Sequence, residues 1–369
     1  MEFVGIDLHT NRFTCCYLDR DGGKRMSTYE LDEAGLVRFY ETLSPESWVL
    51  IEATINSFAF AALIAGRVKE VIVANTFKLK TISLADKKTD KVDAEKLARI
   101  IKMQILSGEQ QIEPVTIPPK LIRDLRALFS SYRLLRKQIG QTKNRIHSLL
   151  KQNLYPCTKA QLFSKRSRRD VRTLAEEPVL AFQINLHMDS LEQLEQAVEA
   201  LEVQIKCSGA PLLRQIDILT SMRGISVFGA IAVLADVIDV HRFATSKKFA
   251  AYLRSTPRVE SSNERAIIKS TNKAGRKLSI TLLSQSLNHF RDSNPKLHRW
   301  YERLSQYKKR GLVRMGLCRR VITEIYQMLK KEEYHRFRQA ANHRTKISAY
   351  LSFLEKHHVA FEKNFTKAA

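Results

Sequence analysis

Two carboxylates interrupt apolar, strand-like runs near the start of the chain: Asp7 in VGIDLHT and Glu52 in VLIEATIN. An ionised carboxylate in such a run carries a desolvation cost unless a cation or hydrogen-bond donors offset it. A second pair, Asp90 and Asp93, lies in KKTDKVDAEKLA. Their spacing of three at a helix start puts both on one face, with Ala94, Leu97 and Ala98 as the apolar positions behind them. A lone D-x-x-D is weak, and any one of the 38 acidic residues has an ordinary structural reading. The order is what constrains the chain: strand Asp, later strand Glu, then two acids opening a helix. Oxygen ligands converging from separate elements suit hard divalent cations on phosphate substrates, where paired ions stabilise attacking and leaving oxygens.

The elements between these acids are legible. FVGIDLH, RFTCCYLD and KRMSTYEL alternate as strands, with an Asp21-Gly22 turn between the second and third. A helix near Glu33 to Leu43, the strand WVLIEA, a helix over Asn56 to Gly66, the short strand VKEVIVAN and a helix from Asp90 into Met103 complete an α/β domain. Three antiparallel strands followed by helix-linked strands is the plan of the ribonuclease H-like fold, which carries carboxylates on its first and fourth strands and on a later helix.

Pro114, Pro118 and Pro119 mark a boundary. A long helix follows with heptad positions Leu125, Leu128, Tyr132, Leu135, Ile139, Thr142, Ile146 and Leu149, the spacing of a coiled-coil seam. Its other faces are rich in Arg and Lys, which suits a phosphate backbone as well as solvent. After the basic loop SKRSRRDVR, a second track runs through Ile184, Leu191, Leu194, Val198, Leu201 and Ile205. Glu192, Glu195, Glu199 and Glu202 on that helix complement the basic first helix, so the two pair either as an antiparallel hairpin or between subunits. From Leu212 the chain reads as mainly helical. LTSMRGISVFGAIAVLADV fits a helix-hairpin-helix element or a plain helix hairpin, and the tail after Tyr334 is basic and weakly helical. The expected organisation is residues 1–115 as an α/β ribonuclease H-like domain, 116–210 as coiled coil and basic linker, 211–335 as a mainly α C-terminal domain, and 336–369 as a tail.

Charge separates these regions. Lys plus Arg is 62 against 38 Asp plus Glu, a net charge of +24. Residues 1–115 hold 15 basic and 17 acidic side chains, net −2, leaving 47 against 21, net +26, for the rest. Phosphate neutralisation by such an excess supplies most sequence-independent affinity for nucleic acid, so DNA or RNA is the expected partner. The charge is spread along the chain, unlike a membrane-surface helix. No apolar run approaches the roughly 18 residues of a membrane span. Five cysteines without a C-x-x-C pair match neither a disulfide framework nor a zinc site, which suggests a reducing cytoplasm.

With these residues in view, the chain resembles the DEDD-type insertion-sequence transposases of the Piv/MooV family, which includes site-specific DNA invertases. The resemblance rests on GIDLH at Gly5 to His9, the strand Glu in IEAT, KTDKVDAEKLA, RFATSKKFAAYLRSTPR at Arg242 to Arg258, and the later YERLSQYKKRG and RRVITEIY. It implies a RuvC-like domain binding Mg²⁺ through Asp7, Glu52, Asp90 and Asp93, and a serine nucleophile in a C-terminal transposase domain. That serine falls on Ser261, with Ser262 as the alternative. The family's Ser-x-Gly-Gly context is replaced here by Asn263 and Glu264 at the glycine positions. The resemblance further implies a covalent phosphoserine intermediate, a noncoding guide RNA that pairs with DNA, and dimers or tetramers built through the coiled coil. Arg258 and Arg265 are expected to steady charge on the phosphate. A metal-dependent RuvC-like junction nuclease and an inactive nucleic-acid-binding coiled-coil protein are the competing readings.

Overall fold

The computed structural model describes residues 1–75, 89–110, 112, 114–155, 158, 162, 164, 167–262, 265–271 and 275–361. They form two compact units, Met1–Pro119 and Lys120–Ala369.

The first unit is built on a five-stranded sheet. β1 (Glu2–Leu8), β2 (Arg12–Asp19) and β3 (Lys24–Glu30) are antiparallel neighbours. Gly22 closes the β2–β3 turn at a φ of 102°, a conformation that favours glycine. After α1 (Glu33–Tyr40), β4 (Ser47–Glu52) adds parallel to β1; after α2 (Ser57–Ile64), β5 (Glu70–Ala74) adds parallel to β4. The order is therefore β3-β2-β1-β4-β5, consistent with a ribonuclease H-like domain. Side chains alternate across the sheet. Val4, Ile6, Leu8, Val49 and Ile51 join Phe39, Phe60 and Ile64 of α1 and α2 in one layer. Phe3 and Leu50 face the other way, onto Ala94, Leu97, Ala98 and Ile101 of α3 (Asp90–Ser107). Covering both faces explains why β1, β2 and β4 read as nearly continuous apolar runs.

The second unit is mainly helical. α4 (Lys120–Gln152), α5 (Ser167–Thr173) and α6 (Pro178–Ser208) lead it. α4 and α6 pack antiparallel within one chain, with the Tyr132 hydroxyl meeting Glu202 and Lys143 Nζ 3.0 Å from Glu195. Glu195 also takes Arg168 at 2.6 Å, and Arg172 of α5 pairs with Asp189 and Glu192. The acids of α6 thus neutralise the basic loop as well as α4. The expected seam is only partly kept. Ile139, Ile146, Leu149, Ile184, Leu191 and Val198 are buried together, but at its start α4 turns Ile122, Leu125 and Phe129 into a different core. That core is formed with α7 (Leu213–Thr220), α8 (Val227–Val237) and α9 (Ser246–Tyr252), then, beyond the hairpin β6 (Pro257–Ser262) and β7 (Arg265–Thr271), with α10 (Leu278–Gln285), α11 (Leu287–Ser293), α12 (Pro295–Ser305) and α13 (Arg310–Lys331).

The segment after Tyr334 is more ordered than its composition suggests. α14 (Ala340–Lys356) buries Tyr350 and Leu354 in the same core, and its His343 ring bonds the buried Asp217 of α7. Apolar anchors spaced four apart hold a helix that is otherwise polar. Among the described residues no helix is long and apolar enough to cross a membrane.

Candidate functional site

The candidate site lies at the carboxyl ends of the parallel strands, where open α/β sheets place their functional groups. In the β1–β4 register Ile6 pairs with Ile51, and Asp7 and Glu52 follow directly. Strand alternation turns Asp7 to the side of Phe3 and Glu52 to the side of Leu50, the face that α3 covers. Two steps before Asp7, Gly5 lets that helix approach. A methyl group added there would stand 2.1 Å from the Ala94 carbonyl oxygen and 2.2 Å from the Ala98 nitrogen. The helix backbone therefore rests on β1 itself, and the turn before Ala94 brings Asp90 and Asp93 over Asp7. Thr89 fixes where α3 begins by accepting from the Val92 amide at 3.3 Å. Asp90 and Asp93 both lie in the first turn, where negative charge complements the helix dipole.

Three groups meet here within 4.8 Å of one another: Asp7, His9 and Asp90. His9 Nε2 is 3.1 Å from Asp7 Oδ2 and 3.4 Å from Asp90 Oδ1, and Arg12 Nη2 holds Asp90 Oδ2 at 3.1 Å. Asp93 pairs with Lys96 at 3.4 Å, and its charge still reaches Asp7. Glu52 and Asp93 are not within the set of three. Burial raises the Asp7 carboxyl above the ordinary carboxylate value; His9 opposes this, and the negative charges of Asp90 and Asp93 reinforce it. A second tie joins the two strand ends. Asn56 donates to the His9 carbonyl at 2.9 Å and accepts from Thr54 at 3.0 Å, linking the turn after β1 to the loop after β4.

His9 and Arg12 were not singled out by the sequence, although His9 closes the GIDLH run. The available signal was parity: two residues beyond Asp7, past the strand end, an imidazole falls on the same side. Mutually repelling carboxylates around a half-buried Asp7, with further oxygen donors alongside, form a site whose charge a divalent cation would balance. Asp7 and Asp90 thus fit a hard cation in chemistry and placement; Glu52 and Asp93 fit it by donor type.

In the second unit, Ser261 and Ser262 lie on β6, opposite Ala266 and Arg265 in the β6–β7 register, and Arg258 is on the same strand. Asn263 and Glu264 fall outside the described residues. The helix hairpin expected at Leu219 to Val237 is present: α7 and α8 are joined through Gly224, at a φ of 101°, and Ser226 caps α8 by accepting from the Gly229 amide at 3.1 Å.

Comparison with known proteins gives two family matches and one similar protein. A family model for DEDD-type transposases of insertion sequence 110, described as "Transposase", matches residues 4–155, and one described as "Transposase IS116/IS110/IS902 family" matches residues 216–302. The chain is also similar to the transposase for insertion sequence element IS1111A of Coxiella burnetii (strain RSA 493 / Nine Mile phase I). The two are 21% identical over 350 residues, which cover 91% of this chain and 92% of that one.

Proposed function

Because the chain belongs to the IS110 family of transposases, we propose that it cuts and rejoins DNA by phosphoryl transfer at the carboxylate site of the first unit, with Ser261 as nucleophile. The observation that carries this reading is the meeting of Asp7, His9 and Asp90 beneath Gly5-docked α3. Asp7, Glu52, Asp90 and Asp93 would hold Mg²⁺. When bound, that ion neutralises phosphate oxygens and favours the deprotonated hydroxyl. The residues' own contributions follow from their contacts. Asp7 and Asp90 supply converging oxygens, His9 bridges them and can hold a proton at Nε2, and Arg12 orients Asp90. Ser261 Oγ attacks the phosphorus of a strand, an Oγ–P bond forms, and one P–O ester bond breaks to free a strand hydroxyl. That hydroxyl's counterpart on another strand then displaces serine and restores the phosphodiester. Arg258 and Arg265 offset charge on the phosphate.

A noncoding guide RNA accounts for a protein that carries net +26 outside residues 1–115, because base pairing then reads sequence while Lys and Arg hold backbone. Assembly as a homo-oligomer is supported by one stripe of α6. Val179, Phe182, Leu186, Ser190, Gln193 and Ala197 follow one another at steps of three and four, all uncharged, and the first three are more than half exposed. With four free cysteines among the described residues, a reducing cytoplasm is the compartment we assign.

The test incubates the protein with Mg²⁺, flanking noncoding RNA and labelled element-junction DNA, and looks for a protein–DNA adduct that survives denaturation. We expect an adduct that Ser261→Ala and Asp90→Ala both abolish. Cleavage without an adduct would replace the serine mechanism with a metal-dependent nuclease. An adduct retained by Ser261→Ala but lost by Ser262→Ala would move the nucleophile by one residue.

A further inference from the structure

The turn between α12 and α13 carries a feature that the proposed strand chemistry leaves unused. Tyr307 and Leu312 are each 65% exposed there, although both would gain from burial. Neither is loosely tethered. The Tyr307 and Lys308 amides donate to the Leu304 carbonyl at 3.3 and 2.9 Å, and the Leu312 amide donates to the Lys309 carbonyl at 2.9 Å. Below the turn, Leu297, Tyr301, Val313 and Leu317 anchor both helices in the core. The backbone that carries the exposed ring is therefore fixed. Around it the charge is one-sided: residues 296–320 carry nine Lys or Arg against a single acid, Glu302. Arg303, Lys308, Lys309 and Arg310 are all exposed, and Lys308 Nζ lies 6.0 Å from the Tyr307 ring centroid. Farther along the hairpin, Gly316 makes room for Trp300, over which Arg320 lies at 4.4 Å, a second pairing of aromatic ring and cation.

We infer that this turn is a docking surface for unpaired DNA, with Tyr307 stacking on a base and the flanking Lys and Arg side chains tracking its phosphates. The pairing of an exposed aromatic face with dense positive charge is the chemistry of single-strand binding, because a base offers its π-face only when it is out of the duplex. A surface meant for duplex backbone alone has no use for an exposed Tyr or Leu. The inference rests on the transposase reading for its choice of DNA, since exchanging strands exposes unpaired ends.

The full-length protein is titrated, by fluorescence anisotropy, with a labelled oligodeoxythymidylate of about 15 nucleotides, the matching duplex, and an oligouridylate of the same length. Tyr307→Ala is expected to weaken the single DNA strand about tenfold, within what one stacked base contributes, while Tyr307→Phe keeps it and duplex affinity is unchanged. A strand carrying 5-iododeoxyuridine is expected to photocross-link to Tyr307. Equal single-strand affinity of Tyr307→Ala and wild type, an equal loss for duplex, or cross-links confined to other residues would each overturn the proposal. RNA bound more tightly than DNA through the same tyrosine would overturn the choice of DNA. These readouts need no cleavage. Failure of the serine adduct would leave them standing, and their failure would leave the adduct chemistry standing.

Discussion

At Gly5 the smallest possible enlargement meets backbone, the Ala94 oxygen and the Ala98 nitrogen, neither of which can rotate away. Gly5→Ala is accordingly expected to push α3 off the sheet, cost about 3 kcal/mol, and abolish cleavage without touching a carboxylate. Chemical denaturation and the adduct assay together check this; a stable, active Gly5→Ala protein would disprove the close packing. A second residue governs acid stability. Asp217 is buried, yet against the upward push of burial His343 at 2.9 Å and Tyr334 at 2.6 Å hold its carboxyl below the ordinary value of 3.8. A carboxyl lowered in the folded state stabilises fully above its unfolded value, and that stability is lost as pH falls through the folded one. Asp217→Asn is expected to destabilise by about 1–3 kcal/mol at neutral pH and to flatten the decline in stability below about pH 4, measured by denaturant titration at several pH values. The acids of the first unit were readable because each stands in a periodic pattern. Their companions His9 and Arg12 were not, since only the turn after β1 brings them to Asp90.

Element by element, the strands were the most legible part, because a sheet covered on both faces leaves apolar runs that polar turns interrupt cleanly. Helix pairing was less so. The α4 heptads continue past the point where the partner changes, so Ile122 and Phe129 are buried where Leu121 and Leu128 remain only partly covered. α14 was underestimated for the opposite reason: its anchors are few, and Tyr350 gains its value from a bond to the Lys206 carbonyl at 2.8 Å that no local pattern announces. The uncharged stripe of α6 went unnoticed since the seam through Ile184 and Leu191 explains the helix by itself. If that stripe joins two copies, Phe182→Glu with Leu186→Glu is expected to yield monomers by light scattering that remain folded, since both side chains are exposed in the single chain, and whose unfolding midpoint no longer rises with protein concentration. Oligomers that persist in the double variant would place the contact elsewhere.

For the whole molecule the decisive property is that charge and candidate chemistry are divided between the units. Residues 1–119 carry 15 basic and 17 acidic side chains, and residues 120–369 carry 47 and 21, so net −2 stands against net +26. A metal site needs local acidity, whereas the backbone of nucleic acid needs its opposite, and one surface cannot supply both without each neutralising the other. Affinity and catalysis should therefore respond to different perturbations. Raising salt from 50 to 200 mM is expected to weaken duplex binding by about a thousandfold if some six phosphates are neutralised, and by more if the number is larger. Asp90→Asn is expected to abolish cleavage in Mg²⁺ and to leave the same steep salt dependence in place. Anisotropy titrations of both proteins across the salt range decide the matter. A shallow slope in the wild type would mean that the basic excess does not face DNA, and a slope that changes with Asp90→Asn would mean that the carboxylates take part in holding it.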